Sequence, residues 1–138
     1  MEMLFAGCQF IISSKDPAKK WSEPEYIYGI VGIHASLFFD DDGKSYLIYQ
    51  GDPLDENLYG HRVIWVQEFD LEKNSTIGEK TLLLPDNPYD SNGPMWTEAP
   101  HLYKHEGYYY LSASDGGSLD AGFQSNIYRS KEIKGPYE

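Results

Sequence analysis

The sequence of 138 residues is poor in cysteine and in positive charge. A single cysteine, Cys8, excludes an internal disulfide framework. Its 11 Lys and Arg against 22 Asp and Glu give a formal charge of -11, and such a field repels phosphate backbones and anionic membrane surfaces. No apolar run approaches the roughly 20 residues that span a bilayer, and residues 3–8 are too short and lack the basic residues of an export signal. We therefore expect neither nucleic acid nor a membrane as a partner, and the compartment stays open.

Aromatic residues and turn formers are abundant. Aromatics make up 15% of the chain, and there are 13 Gly and 8 Pro, a composition that favours short strands over long helices. Hydrophobic residues reach 41%, which is enough for a packed core, and the length suits one domain. The composition predicts an all-β domain.

One internal repeat dominates the chain. Residues 35–47 align without gaps with residues 99–111, which lie 64 positions further along. Each copy has an apolar stretch, a polar tip that ends in Asp42-Gly43 or Glu106-Gly107, and an aromatic stretch. This pattern predicts a β-hairpin with a positive-φ glycine at its turn. We expect the two hairpins to occupy equivalent places in the fold.

Further strands are predicted around the hairpins. Residues 62–69 and 81–84 form two strands between them, and residues 10–16 resemble residues 126–132, which lie 116 positions later. Four antiparallel strands for each repeat are what a blade of a β-propeller needs. A chain of 138 residues with a 64-residue repeat holds about two blades, whereas closed propellers use about 4–8.

The predicted fold is therefore a partial β-propeller. Residues 1–31 would end one blade, residues 32–93 would form the next, and residues 94–138 would form most of a third. Two blades alone leave open sheet edges and an incomplete core. We expect the chain to be a piece of a longer protein, or to need a partner that supplies the missing blades.

Two side chains stand just before the repeat. Glu98 precedes the second copy, and His34 precedes the first, 64 positions earlier. The innermost strand opens each blade of a propeller at the central channel, so both side chains are predicted to face that channel. One blade would offer a carboxyl group and the other an imidazole.

These segments resemble glycoside hydrolase family 43. The resemblance rests on residues 32–44 and 98–111 and on two closing motifs, Arg129-Ser130-Lys131 and Gly135-Pro136-Tyr137. Members of that family are five-bladed propellers, mostly β-xylosidases, α-L-arabinofuranosidases and arabinanases. The resemblance covers nearly the whole chain. It implies that the chain corresponds to the end of the second blade and to the third and fourth blades of such a propeller. It also implies a glycosidase with a carbohydrate substrate and no required cofactor. The run Asp40-Asp41-Asp42-Gly43 lacks the alternate-position ligand spacing of an EF-hand loop and closes a hairpin, so no metal site is predicted there.

The resemblance gives both residues a role. The family's general acid is a Glu ahead of Ala or Gly, Pro and His, and it matches Glu98. The Asp that orients this acid and raises its pKa falls on His34. A neutral imidazole exerts no like-charge repulsion on a carboxylic acid, and a protonated one favours its ionised form. The family's general base belongs to the first blade, which has no counterpart here, so we expect the isolated chain to be inactive.

Three further residues are candidate substrate contacts, namely Trp96, His101 and Asp115. Trp96 would be a stacking platform for a sugar ring or a core residue. Asp115 matches an acidic residue near the pocket rim of relatives, and otherwise is an ordinary turn aspartate. His101 is interpreted first as a satisfied interior histidine that bonds within the channel.

The main hypothesis is an inverting hydrolase for arabinose- or xylose-containing polysaccharides or their oligomers. Because His34 replaces an Asp, a non-catalytic carbohydrate-binding propeller or a decayed paralogue is the alternative. An invertase-like retaining enzyme is a third possibility, and its chemistry would need a nucleophilic Asp in the missing first blade.

Overall fold

The computed structural model describes residues 9–54, 60–84, 96–116 and 123–138. These residues form nine β-strands in three antiparallel sheets and no helix, so the described segments also hold no helix long enough to cross a membrane. Cys8 and the predicted blade boundary between residues 93 and 94 lie outside the described residues.

The sheets have two, four and three strands, each hydrogen-bonded in chain order. The strands are β1 (Phe10–Ile11) and β2 (Glu25–Tyr26) in the first sheet; β3 (Ile33–Phe39), β4 (Ser45–Gly51), β5 (Val63–Asp70) and β6 (Ser75–Leu84) in the second; and β7 (Thr97–His105), β8 (Tyr108–Asp115) and β9 (Gln124–Ser130) in the third. Strand β6 begins six residues before the predicted strand at 81–84. Its first half is largely polar and exposed at the sheet edge, so hydrophobic patterning did not reveal it.

The resemblance between residues 10–16 and 126–132 extends to the backbone. The Ser22 amide donates to the Ser13 carbonyl at 2.8 Å, and the Glu138 amide donates to the Arg129 carbonyl at 3.0 Å. Each donor and its acceptor lie nine positions apart, and the two pairs are separated by 116 positions. The chain after β9 therefore turns back along that strand as the chain after β1 does.

The two hairpins differ in their turns. Between β3 and β4 the Asp40 amide bonds the Lys44 carbonyl, so three residues close the loop, with Gly43 at φ 84. Between β7 and β8 only Glu106 and Gly107 lie outside the strands, at φ 48 and 78, as a type I′ turn requires. The second hairpin is therefore one residue shorter at its turn.

This difference corrects the gapless alignment of the repeat. Gln50 faces Ile33 across the first hairpin, and Ser114 faces Glu98 across the second. The second strands of the two hairpins, β4 and β8, thus match at a distance of 64 residues. The first strands, β3 and β7, match at a distance of 65 residues. Glu98 is the counterpart of Ile33, not of His34.

The second sheet is buried on both faces. Alternating side chains of β4 point to opposite sides, with Tyr46 and Ile48 in one cluster and Leu47 and Tyr49 in the other. The first cluster fills the space between the second and third sheets, where it also contains Leu111. The second cluster contacts the chain segment that precedes β3. This is the position of a middle blade, with a neighbour on each side.

The turn ends of the second and third sheets are joined by a charged cluster. Lys104 Nζ lies 2.5 Å from Asp40 Oδ1, and the Tyr109 hydroxyl donates to Asp40 Oδ2 at 2.6 Å. The Asp40 side chain is only 5% exposed. Burial by itself would raise the pKa of Asp40, but the hydrogen bonds from Lys104 and Tyr109 prevail and lower it. The same bond to Asp40 raises the pKa of Lys104.

Candidate active site

The incoming strands of the two hairpins lie side by side at the ends opposite these turns. The Ser36 hydroxyl of β3 donates to the Pro100 carbonyl of β7 at 2.6 Å. Just beyond this contact, His34 Nδ1 lies 3.8 Å from Glu98 Oε2. The structure thus brings together the two residues that the sequence selected, and their chemical roles remain predictions.

A β-bulge presents each of these side chains. The register shifts by one residue between Ile33 and Ser36 in β3 and between Glu98 and His101 in β7. Within the bulges, His34 has φ 53 and Ala99 has φ 51, in a region that non-glycine residues seldom occupy. Bulges bend a strand and re-aim its side chains. Here they turn an imidazole and a carboxyl toward each other although the two residues are not repeat equivalents.

Glu98 and His34 differ in their surroundings. The Glu98 side chain is 15% exposed and the His34 side chain 44%. Their separation of 3.8 Å exceeds a hydrogen bond, so they interact through charge when the imidazole is protonated. A sheltered carboxyl that solvent still reaches can exchange a proton with a bound molecule.

Thr97 fixes the backbone in front of Glu98, and sequence reasoning missed it. Its amide donates to the Arg62 carbonyl at 3.3 Å, and its carbonyl accepts from Gln50 Nε2 at 2.8 Å. Its hydroxyl donates to Asp115 Oδ1 at 2.7 Å. The available signal was Gln50 itself, an amide that follows the apolar run Tyr46-Leu47-Ile48-Tyr49.

Asp115 lies in the interior and not at an exposed rim. Asp115 is only 7% exposed. Besides Thr97, it accepts hydrogen bonds from Asn126 Nδ2 at 2.6 Å and from the Tyr128 hydroxyl at 3.4 Å. Asp115 ends β8 between β7 and β9, so the neighbouring strands cover it and supply its donors. The structure therefore gives it a place in a buried polar cluster and supports neither the rim interpretation nor the simple turn.

Trp96 and His101 are both exposed. The Trp96 ring is 38% exposed, and the Arg62 guanidinium lies 5.0 Å from its centroid. Arg62 is itself held by Asp52 at 2.7 Å. One ring face thus carries a cation, and the tryptophan lies outside both apolar clusters, which is compatible with a platform for a ligand. His101 is exposed as well, so the interpretation as an interior histidine is wrong for this structure.

The charged residues of the site do not form a metal centre. Within the described segments, no group of three or more His, Cys, Asp or Glu side chains could hold a metal ion. Proton transfer between the Glu98 carboxyl and a bound molecule is the chemistry that this arrangement supports.

The antiparallel sheets, hydrogen-bonded in chain order and packed face to face, define a segment of a β-propeller. The sequence profile of Glycosyl hydrolases family 43 matches residues 2–138. The chain belongs to glycoside hydrolase family 43.

Individual relatives agree with this family. A xylosidase/arabinosidase of Butyrivibrio fibrisolvens is 41% identical over 133 residues, which make up 93% of this chain and 25% of that protein. A β-xylosidase of Bacillus subtilis (strain 168) is 37% identical over 125 residues, or 86% of this chain and 21% of that protein. The chain thus spans about a quarter of the length of the curated relatives it matches.

Solved structures give the same result for the fold. A family 43 protein retrieved from a capybara gut metagenome has a TM-score of 0.79 and 36% identity, covering 94% of this chain and 24% of that one. The xylan β-1,4-xylosidase of Bacillus halodurans C-125 has a TM-score of 0.74 and 28% identity, with 95% and 24% covered. The prediction of an all-β partial propeller is confirmed.

Proposed function

We propose that this chain supplies the general acid, Glu98, of an inverting glycoside hydrolase that acts on xylose- or arabinose-containing chains. The observation that carries the proposal is the position of this carboxyl. It lies at the bulged start of β7, 15% exposed, and 3.8 Å from an imidazole of the neighbouring sheet. The segment Glu98-Ala99-Pro100-His101 matches the pattern of a Glu ahead of Ala or Gly, Pro and His by which the sequence resembles the family's general acid.

In the proposed reaction, Glu98 is the proton donor. The protonated carboxyl gives its proton to the glycosidic oxygen as the bond to the sugar carbon breaks, so the leaving group departs as an alcohol. A water molecule attacks the opposite face of the ring and loses its proton to a second carboxylate, roughly 6.5–9.5 Å from the first. We assign this base to a blade outside the 138 residues, and the isolated chain then lacks one of the two groups.

The choice of sugar rests on the relatives. Both curated relatives described above are named for xylosidase or arabinosidase activity. A neutral pentose chain is also compatible with a protein of formal charge -11, since it carries no charge to be repelled. The half-exposed Trp96 ring offers a face on which a sugar could stack.

His34 changes how the acid is supported. A carboxylate at this place would repel a second negative charge and keep the acid protonated, whereas a protonated imidazole favours the ionised form. Because His34 supplies no such carboxylate, we expect hydrolysis to be slow.

The test uses a complete ring, in which this chain replaces the matching quarter of the Butyrivibrio fibrisolvens relative. We expect the ring to hydrolyse a nitrophenyl β-xyloside or α-L-arabinofuranoside, and E98Q to reduce kcat by about 10²–10⁴-fold. The isolated 138-residue chain is expected to show no turnover. Unchanged kcat in E98Q, or turnover by the isolated chain, would overturn the assignment. The matched control is E106Q at the β7–β8 turn, where the carboxyl is 83% exposed.

A non-catalytic carbohydrate-binding propeller is the second candidate, and the replacement of the family's Asp by His34 favours it. The ring would then bind xylo- or arabino-oligosaccharides without cleaving them. Recovery of hydrolysis in H34D, from a ring that is inactive with His34, would identify a decayed enzyme. Hydrolysis by the ring that carries His34 excludes the binding-only function.

A further inference from the structure

We infer that Gln50 is a positioning residue for Glu98, which it holds through the peptide group between Thr97 and Glu98. The inference rests on the proposed function, because the acid must be Glu98 for its position to matter. It concerns a residue that touches neither the carboxyl nor any bound molecule in the described structure.

Gln50 is an amide in an apolar interior. Gln50 is 0% exposed and lies on the face of β4 that points to the third sheet. Its pairing partner on the adjacent strand β5 is Ile64. Its Nε2 donates to the Thr97 carbonyl at 2.8 Å, while its Oε1 has no hydrogen-bond partner among the described residues. Burying an amide with a free acceptor costs free energy. The compensating feature is the bond from one sheet to the other.

That bond ends at the backbone of the acid. The Thr97 carbonyl belongs to the same peptide group as the Glu98 amide, so whatever fixes this oxygen also fixes the direction in which β7 enters its bulge. The Thr97 amide is held by the Arg62 carbonyl and its hydroxyl by Asp115. Arg62 and Gln50 lie in or beside the second sheet and Asp115 in the third, so Thr97 joins the two blades.

The position of Glu98 depends on this backbone support because few contacts hold its own side chain. Among the described residues no donor is bonded to its carboxyl, and the His34 imidazole is 3.8 Å away. The next residue, Ala99, has φ 51, a strained conformation that persists only where the surroundings hold it. The direction of the carboxyl is therefore set by the backbone, and the anchor of the backbone is Thr97.

The first test uses hydrogen exchange on the 138-residue chain. In Q50M, whose side chain keeps a similar size without the donor, we expect the amides of Thr97 and Gly116 to exchange at least about tenfold faster. The Asp40 amide, bonded to Lys44 at the turn end, should keep its rate and so reports any global loss of stability. The matched control is Q67M, because Gln67 also donates to a backbone carbonyl, that of Gly78, but away from β7.

The second test uses the complete ring. We expect Q50M to lower kcat about 10–100-fold with KM changed less than about threefold, since small displacements of a reacting group are costly. Q67M should leave both constants unchanged. In the E98Q background Q50M should have no further effect, because the group it positions is gone. If Q50M does not fold, Q50L removes the same donor to the Thr97 carbonyl and must reproduce the loss of kcat.

The outcomes separate this inference from the proposed function. Unchanged exchange at Thr97 in Q50M, or an equal loss of kcat in the native and the E98Q backgrounds, would overturn the role of Gln50. If instead E98Q leaves kcat unchanged, the proposed function fails, while the exchange rates still decide whether Gln50 holds the junction.

Discussion

The two ends of the β3–β7 strand pair are held in opposite ways. At the turn end, Asp40 is 5% exposed and bonded at 2.5 Å to Lys104 and at 2.6 Å to Tyr109. At the other end, Glu98 and His34 are partly exposed and 3.8 Å apart. One end uses its charges to join two sheets, and the other leaves its ionisable groups partly exposed to solvent.

The backbone shows the same contrast. Positive φ values at the turn end occur where hairpin turns require them, at Gly43, Glu106 and Gly107. At the site end they occur inside strands, at His34 and Ala99, where no turn calls for them. Backbone strain at the site end persists only where the surrounding structure holds it. We attribute this support to the buried cluster between the sheets and to the charged residues at the turn end.

The largest expected effect distinguishes the glycines of the two ends. A Cβ on Gly32 would lie 2.1 Å from the Gln50 carbonyl oxygen, whereas one on Gly43 would meet nothing within 4 Å. We expect G32A to lower the free energy of unfolding by about 3 kcal/mol, because backbone must move. G43A should cost about 1–2 kcal/mol from its positive φ alone. Urea unfolding measures both, and a G32A loss no larger than that of G43A would contradict the close approach.

The turn-end charges are expected to matter next. D40N should lower the free energy of unfolding by about 1–3 kcal/mol at pH 7, because it weakens the hydrogen bonds of a buried carboxylate. The folded pKa of Asp40 lies below its ordinary value of 3.8, so its contribution is present above about pH 4 and is lost as the pH falls further. The pKa of Lys104 is raised from 10.5, so the pair also weakens as the pH rises above about 10.5.

Urea midpoints of the native chain and of D40N, measured from pH 2 to pH 11, check this prediction. The two curves should lie furthest apart between about pH 5 and pH 9 and converge on the acid side. A difference that stays constant down to pH 2 would show that the Asp40 carboxylate is not the source of the stability.

The smallest effect is expected at the site. H34A should change the free energy of unfolding by no more than about 0.5 kcal/mol, because the side chain is 44% exposed and makes no hydrogen bond to Glu98. The same urea assay decides this point. A loss in H34A as large as that in D40N would abolish the contrast between the two ends and would assign His34 a structural role.

The internal repeat predicted that His34 and Glu98 lie close together, but it gave the wrong correspondence between the two strands that carry them. His34 and Glu98 were paired on a distance of 64 residues, yet the strands that carry them match at 65. The pairing succeeded because both residues lie at bulges at the same end of neighbouring strands. The error arose at the turns, where three residues close one hairpin and two close the other. Side-chain patterns do not reveal such a difference, because Asp-Gly and Glu-Gly suit both kinds of turn.

Burial separated the remaining candidates. Asp115 was interpreted as a residue near the pocket rim, but β7 and β9 cover it. His101 was interpreted as an interior residue and is exposed. His101 lies where the β7 bulge ends, and a bulge reverses the alternation of faces that pattern reading assumes.

The sequence by itself determined the strand-rich class, the repeat and the motif that places the chain in its family, since these depend on residue types and local spacing. Only the tertiary structure decided the 3.8 Å approach of His34 to Glu98 and the hold of Gln50 on Thr97. Those contacts join residues 64 and 47 positions apart. They exist because a bulge in each of β3 and β7 and one turn residue set the register in which the two sheets pack together.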